Sequence, residues 1–140
     1  MKANELMIGD WVCLKDDTKC EFPLKVDGVL TDDISLEGEG FLGGVDGLIR
    51  PIPITPEILE KDGWERDIDK EWEYNNSHIL PHYCYQWEKQ NVKIEMYAGL
   101  EGFTISLIIG RRFYAVHELQ HALRLCGLDE LADNFKVYEK

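Results

Sequence analysis

Three prolines in six residues, in the run Pro51-Ile52-Pro53-Ile54-Thr55-Pro56, set the firmest limit on how this chain folds. Each proline fixes its own φ, removes a backbone donor and pushes the residue before it towards extended backbone. The run predicts a stiff extended connector, so the chain must change character across it. Before it, short apolar pieces alternate with turn residues. Leu6, Ile8, Trp11 and Val12 form a first piece, broken by Gly9-Asp10. Leu24 and Val26 flank Lys25, Asp27-Gly28 reads as a turn, and Ile34 and Leu36 flank Ser35. Short strands at this spacing predict a small β unit, SH3-like or a curled antiparallel sheet.

Directly after the connector a helix start is legible. Thr55 is a natural N-cap, Pro56 suits the first helical position, Ile54 and Leu59 stand at the staple positions, and Gly63 ends the helix. Residues 57–73 then carry eight acids against three bases, punctuated by Trp64, Ile68 and Trp72. This stretch reads as a strand or strand edge with aromatic anchors. From Ile79 to Ile109 the pattern has period two, as in Val92, Ile94 and Met96 around Lys93 and Glu95, which predicts an antiparallel meander with one buried face. From about Tyr114 to Cys126 the period is helical: Val116, Leu119, Leu123 and Cys126 form one apolar stripe, expected to pack on that meander. The fold class is therefore α+β. The expected division is a β sub-lobe over 1–50, connector and short helix over 51–63, and sheet plus C-terminal helix over 64–140, together one compact domain.

With 140 residues, 44% of them hydrophobic, the chain has apolar surface enough for a core. It is too short for a protein kinase or a pair of dinucleotide-binding domains. The formal net charge of −12 repels phosphate and argues against direct nucleic-acid binding. The most apolar stretch, Ile105 to Ile109 with Ser106 inside it, is far below the roughly 20 residues of a membrane helix. No secretory signal is evident, so the expected location is the cytoplasm. The four cysteines have no metal-type C-x-x-C spacing and read as free, mostly buried thiols.

Two motifs match by letter. Gly38-Glu39-Gly40-Phe41-Leu42-Gly43 fits G-x-G-x-x-G, but acidic neighbours and the want of a following helix make it a glycine-rich hairpin connection. His117-Glu118-Leu119-Gln120-His121 fits H-E-x-x-H on a helix. That spacing puts His117 and His121 one turn apart, able to share Zn²⁺, with Glu118 as the base for metal-bound water. A third ligand is not evident, and His117, His121 and Arg124 form a polar stripe expected at the solvent or at the edge of the apolar stripe. His78 and His82 make a second pair at the same spacing, with Pro81 between them.

Three anchors, taken in order, carry a resemblance. The chain opens with Asn4-Glu5-Leu6-Met7-Ile8-Gly9-Asp10-Trp11-Val12, continues through Pro51-Ile52-Pro53-Ile54-Thr55-Pro56-Glu57-Ile58-Leu59, and later has Val116-His117-Glu118-Leu119-Gln120 before Asp129-Glu130-Leu131. In these it resembles a group of small, uncharacterised acidic proteins of Bacteroidetes genomes, prophages and mobile elements. The group's helix is nearer V-H-x-L-Q-N, so His121 departs from it and the zinc-like match becomes a local substitution. The resemblance implies a phage or mobile-element setting and carries no known activity, which weighs against an enzyme without supplying another function. The expected function is a non-enzymatic interaction or accessory factor, an acidic inhibitor of a host or phage protein being one form. Its expected partner is a protein, basic in character, and the binding candidates are Trp64, Trp72, Tyr74, His117 and Gln120. Two alternatives stand beside it: a zinc-dependent metallohydrolase and a virion-associated structural protein.

Overall fold

The computed structural model describes residues 5–17, 19–30, 33–38, 40–42, 49–69, 71–72, 82–87, 92–97, 103–105 and 111–137, with backbone alone at 40–42, 82, 97, 103–105 and 111–112. The fold is α+β, with two antiparallel sheets. The chain divides into two compact units, Met1–Pro53 with Ala115–Val137, and Ile54–Tyr114 with Tyr138–Lys140. This division replaces the sequential one read from the sequence, because the C-terminal segment returns to the first unit. The return is made by backbone: Pro53 bridges Ala115, and Val116 N–H donates to Ile52 C=O at 2.8 Å.

The first unit holds strands β1 (Trp11–Leu14), β2 (Leu24–Val29), β3 (Ile34–Leu36), β4 (Gly40–Leu42) and β5 (Ile49–Pro51). Their order in the sheet is β4-β3-β2-β1-β5. Val12, Val26, Ile34, Leu36, Ile49 and Leu6 form its apolar cluster. Asp27-Gly28, read as a turn, is instead a bulge within β2: Val26 faces Leu36 while Gly28 faces Ser35. One extra residue there bends the strand without ending it. β3 and β4 pair with Leu36 opposite Gly40, so the start of the glycine motif is a hairpin, as its permissive backbone predicts. Positions 43–48 lie outside the described residues. Pro51 sits on the edge strand, where a missing donor costs no ladder bond. Along the proline run Ile52 and Ile54 are buried while Pro51 and Pro53 are exposed, the alternation of an extended segment.

Helix α2 (Val116–Leu125) and helix α3 (Asp129–Asp133) complete this unit. Val116, Leu119 and Leu123 of α2 are fully buried. Removing each from water stabilises by about 1.5–3 kcal/mol. α2 ends as the sequence predicts: Leu128 N–H reaches Leu123 C=O and Gly127 N–H reaches Arg124 C=O, the paired bonds of a Schellman ending. The helix belongs with β1, whereas its apolar stripe was expected to pack on the second sheet.

The second unit contains helix α1 (Pro56–Asp62) and strands β6 (Glu65–Arg66), β7 (His82–Trp87), β8 (Val92–Tyr97), β9 (Phe103–Ile105) and β10 (Arg111–Phe113), in the order β10-β9-β8-β7-β6. Thr55 caps α1 as expected, its Oγ1 accepting from Ile58 N–H at 3.2 Å. Gly63, at φ 105°, takes the left-handed turn that ends it. The acidic stretch is only partly strand: after β6, residues 68, 69, 71 and 72 are helical. On β7 both Cys84 and Tyr85 are buried, so alternation fails there, while Val92 and Ile94 on β8 keep it. No described helix is long and apolar enough to cross a membrane.

Candidate functional site

In the first unit the polar stripe of α2 turns inward, and it does so because a carboxylate is buried beneath it. Asp10 precedes β1 and is fully buried. Its Oδ2 accepts from Met7 N–H at 2.8 Å and lies 2.6 Å from His121 Nε2. Its Oδ1 accepts from Arg124 Nη1 at 2.8 Å. A buried carboxylate requires such partners, and an Arg and a His one turn apart on a helix supply them. Of the two places expected for this stripe, the solvent or the edge of the apolar stripe, the structure gives the edge: His117 is buried, and Arg124 and His121 mostly so.

Arg124 also reaches Ile8 C=O and Asp133 Oδ1, each at 3.2 Å. Gly9, at φ 96°, makes room for it. A Cβ at that position would stand 2.9 Å from Arg124 Nη2. Gln120, fully buried, joins the same region: its Oε1 accepts from Trp11 N–H at 3.0 Å, and its Nε2 donates to Gly9 C=O at 2.7 Å and Ala132 C=O at 3.0 Å. Trp11 Nε1 donates to Phe135 C=O at 2.7 Å. One amide side chain therefore ties the entry to β1, α2 and α3 together.

The H-E-x-x-H residues take roles inside this network. His117 and His121 pack edge to face, ring centroids 5.6 Å apart. Burial pushes the His117 imidazole below its ordinary pKa, against a weaker upward pull from Asp10, and its Nδ1 is buried with no hydrogen-bond partner among the described residues. Glu118 Oε1 accepts from Ala115 N–H at 3.1 Å, the N-terminal capping position of α2. Among the described residues no carboxylate or thiol joins both imidazoles at mutual ligand distance; the one three-residue group that does gather is Cys13, Asp17 and Cys20. His82 opens β7 opposite Tyr97, and His78 lies outside the described residues.

In the second unit the acidic aromatic stretch splits between core and surface. Trp64 is buried, its Nε1 donating to Asp62 Oδ2 at 2.9 Å and its ring meeting Trp87 edge to face at 5.3 Å. It anchors the end of α1, which corrects its expected place on a binding face. Trp72 is 67% exposed and Ile68 60%. Four residues apart on a helical turn, they share one side of it. Arg66 clasps Glu71 of the same turn through Nη2 to Oε1 at 2.6 Å and Nε to Oε2 at 3.3 Å, and its guanidinium lies 5.0 Å from the centre of the Tyr83 ring. Glu71 strengthens the charged form of Arg66. Glu65 and Asp69 are exposed beside them, and Tyr74 lies outside the described residues.

Sequence reasoning named His117, His121, Gln120 and Arg124 but missed Asp10, which it read as part of a chain break. The one available signal was an acid beside a glycine ahead of an apolar strand, too common to single out. It also missed that Cys13 and Cys20, read as free thiols, form a disulfide; Cys84 and Cys126 are not disulfide-bonded. No protein-family model matches the chain, and comparisons with curated proteins and with solved structures find no match.

Proposed function

We propose that this chain is a non-enzymatic interaction factor, and that the surface of its second unit around Ile68 and Trp72 engages a basic protein partner. The observation that carries this reading is two large apolar side chains, 60% and 67% exposed, on one helical turn inside a stretch of eight acids and three bases. An exposed tryptophan is the usual energetic centre of a protein interface, and surrounding acids select a basic partner and speed its approach. The Arg66–Glu71 clasp fixes the turn in advance, so little ordering entropy is lost on binding. The acidic charge disfavours a phosphate-bearing partner. The engagement of Glu118 as a helix cap and of His121 with Asp10 supports this reading over zinc hydrolysis. A cytoplasmic setting within a phage or mobile element, and inhibition of the bound protein, complete the proposal.

The test is photo-crosslinking in the producing cell, with a photoreactive residue at position 69, compared between the native sequence and Ile68→Asp/Trp72→Ala. The expected result is a cross-linked protein of basic isoelectric point, lost in the double variant and weakened by salt. A crosslinking pattern identical in both would sink the proposal, provided circular dichroism shows that the variant is folded.

A further inference from the structure

The loop between β1 and β2 holds a group of side chains that the interaction surface does not use. Cys13 lies fully buried in β1, and Cys20 is half-buried after the turn, its Cα 5.8 Å from that of Cys13 across their disulfide. Asp17 lies between them in sequence. One donor atom from each of the three lies within 4.8 Å of the others.

The loop is held in this shape by its own backbone. Asp17 N–H donates to Leu14 C=O, and Cys20 N–H to Asp17 C=O, each at 3.0 Å. The Arg50 guanidinium donates to the same Asp17 C=O. The two oxygens of the Asp17 carboxylate accept from Glu21 N–H at 2.9 Å and Phe22 N–H at 2.8 Å. Each oxygen keeps a further lone pair, so these bonds orient the carboxylate without exhausting it. Cys20 is the one non-glycine residue with left-handed backbone among those described, at φ 52°. A β-carbon is disfavoured there, and such strain collects where a side chain is being aimed for a purpose.

We propose that Cys13, Asp17 and Cys20 form a redox-gated site for a thiophilic divalent cation of the Zn²⁺ class, closed by the disulfide and opened by its reduction. Two sulfurs and one carboxylate oxygen are a donor set suited to such a cation, and too soft for Mg²⁺ or Ca²⁺. The opening step is thiol–disulfide exchange with a dithiol reductant. Two electrons and two protons pass to the protein, the Cys13–Cys20 S–S bond breaks, both sulfurs become thiols, and the reductant leaves as its own disulfide. The cation then takes both sulfurs as thiolates, releasing their protons to solvent, together with one Asp17 oxygen. Water on the half-exposed Cys20 side fills the fourth position. The site is independent of the His117 and His121 pair and of the Ile68 and Trp72 surface.

The test is anaerobic titration of the full chain with Co²⁺, a spectroscopic stand-in for Zn²⁺. The chain is first reduced with a phosphine, which becomes its oxide with oxygen from water and leaves no competing thiol. The expected result is a thiolate-to-cobalt charge-transfer band that saturates at one metal per chain, is erased by Zn²⁺ and is missing from the disulfide form. Cys20→Ser, at the half-exposed position, abolishes the band, and Asp17→Asn weakens binding about tenfold or more. Cys126→Ser and His117→Gln, which breaks the histidine pair and keeps the His121–Asp10 contact, leave it unchanged. No band in the reduced native chain overturns the proposal, as does a band that survives Cys20→Ser. Because Cys13 is buried in β1, Cys13→Ser is read only if its circular dichroism matches the native chain.

Discussion

Replacing Gln120 by methionine isolates the polar network that joins the first unit. Methionine keeps the length and nearly the volume of glutamine, so little cavity is created. What is lost is three hydrogen bonds, to Trp11 N–H and to the carbonyls of Gly9 and Ala132, at 2.7 to 3.0 Å. Gln120 is fully buried, so water does not replace them freely. Each orphaned buried group costs about 1–3 kcal/mol, while an amide that no longer needs desolvating returns about 1–3 kcal/mol. Ala132 C=O still accepts from Phe135 N–H at 3.3 Å, so two groups, Trp11 N–H and Gly9 C=O, bear the loss; at about 2 kcal/mol each, less the return, the net loss is about 1–3 kcal/mol. Urea unfolding followed by circular dichroism should show the midpoint falling with the slope unchanged. Hydrogen exchange adds a local readout, since the Trp11 amide should exchange faster than in the native chain. A loss below about 0.5 kcal/mol, with the Trp11 amide as protected as before, would refute the network as a source of stability.

Two further outcomes follow from buried groups. His117 has its pKa lowered by burial, so the unfolded chain takes up a proton below its ordinary value of 6.5 before the folded chain does. Stability is then complete above pH 6.5 and falls as pH drops from there towards the lower folded value. His117→Gln should flatten that fall, and parallel stability curves for the two proteins between neutral and mildly acidic pH would contradict it. Tyr85 has a buried hydroxyl with no hydrogen-bond partner among the described residues, and burial, aided by Glu60, pushes its pKa from 10.0 up to about 12. Its contribution is intact below pH 10 and declines as pH rises from 10.0 to about 12. Tyr85→Phe should be as stable as the native chain or more so at neutral pH, and should lack the alkaline decline; a loss above about 1 kcal/mol in a thermal or urea melt would show that the hydroxyl has a partner after all.

Much of the local structure was legible because it depends on neighbours in sequence. The cap at Thr55, the ending at Gly63, the stop at Gly127 and the stripe of Val116, Leu119 and Leu123 all follow from residues within a few positions of one another. Where reading failed, the deciding partner was distant. Asp27-Gly28 is a bulge because Ser35 and Leu36 continue the ladder past it. Trp64 is core because Trp87 and Asp62 cover it. The inward turn of the α2 polar stripe depends on Asp10, more than a hundred residues away in sequence.

By itself, then, the sequence determined the class of fold, the cap and ending of α1, the stop of α2 and the acidic balance, whereas the helical residues 68, 69, 71 and 72 were read as strand. Periodicity, capping and charge are properties of short stretches, and a single chain displays them openly. Only the tertiary structure decided that α2 joins the first sheet, that His117 and Gln120 serve a buried network around Asp10, and that Cys13 and Cys20 meet across Asp17. Those outcomes depend on which distant backbone groups and charges need partners once water is removed, and no local pattern records that need.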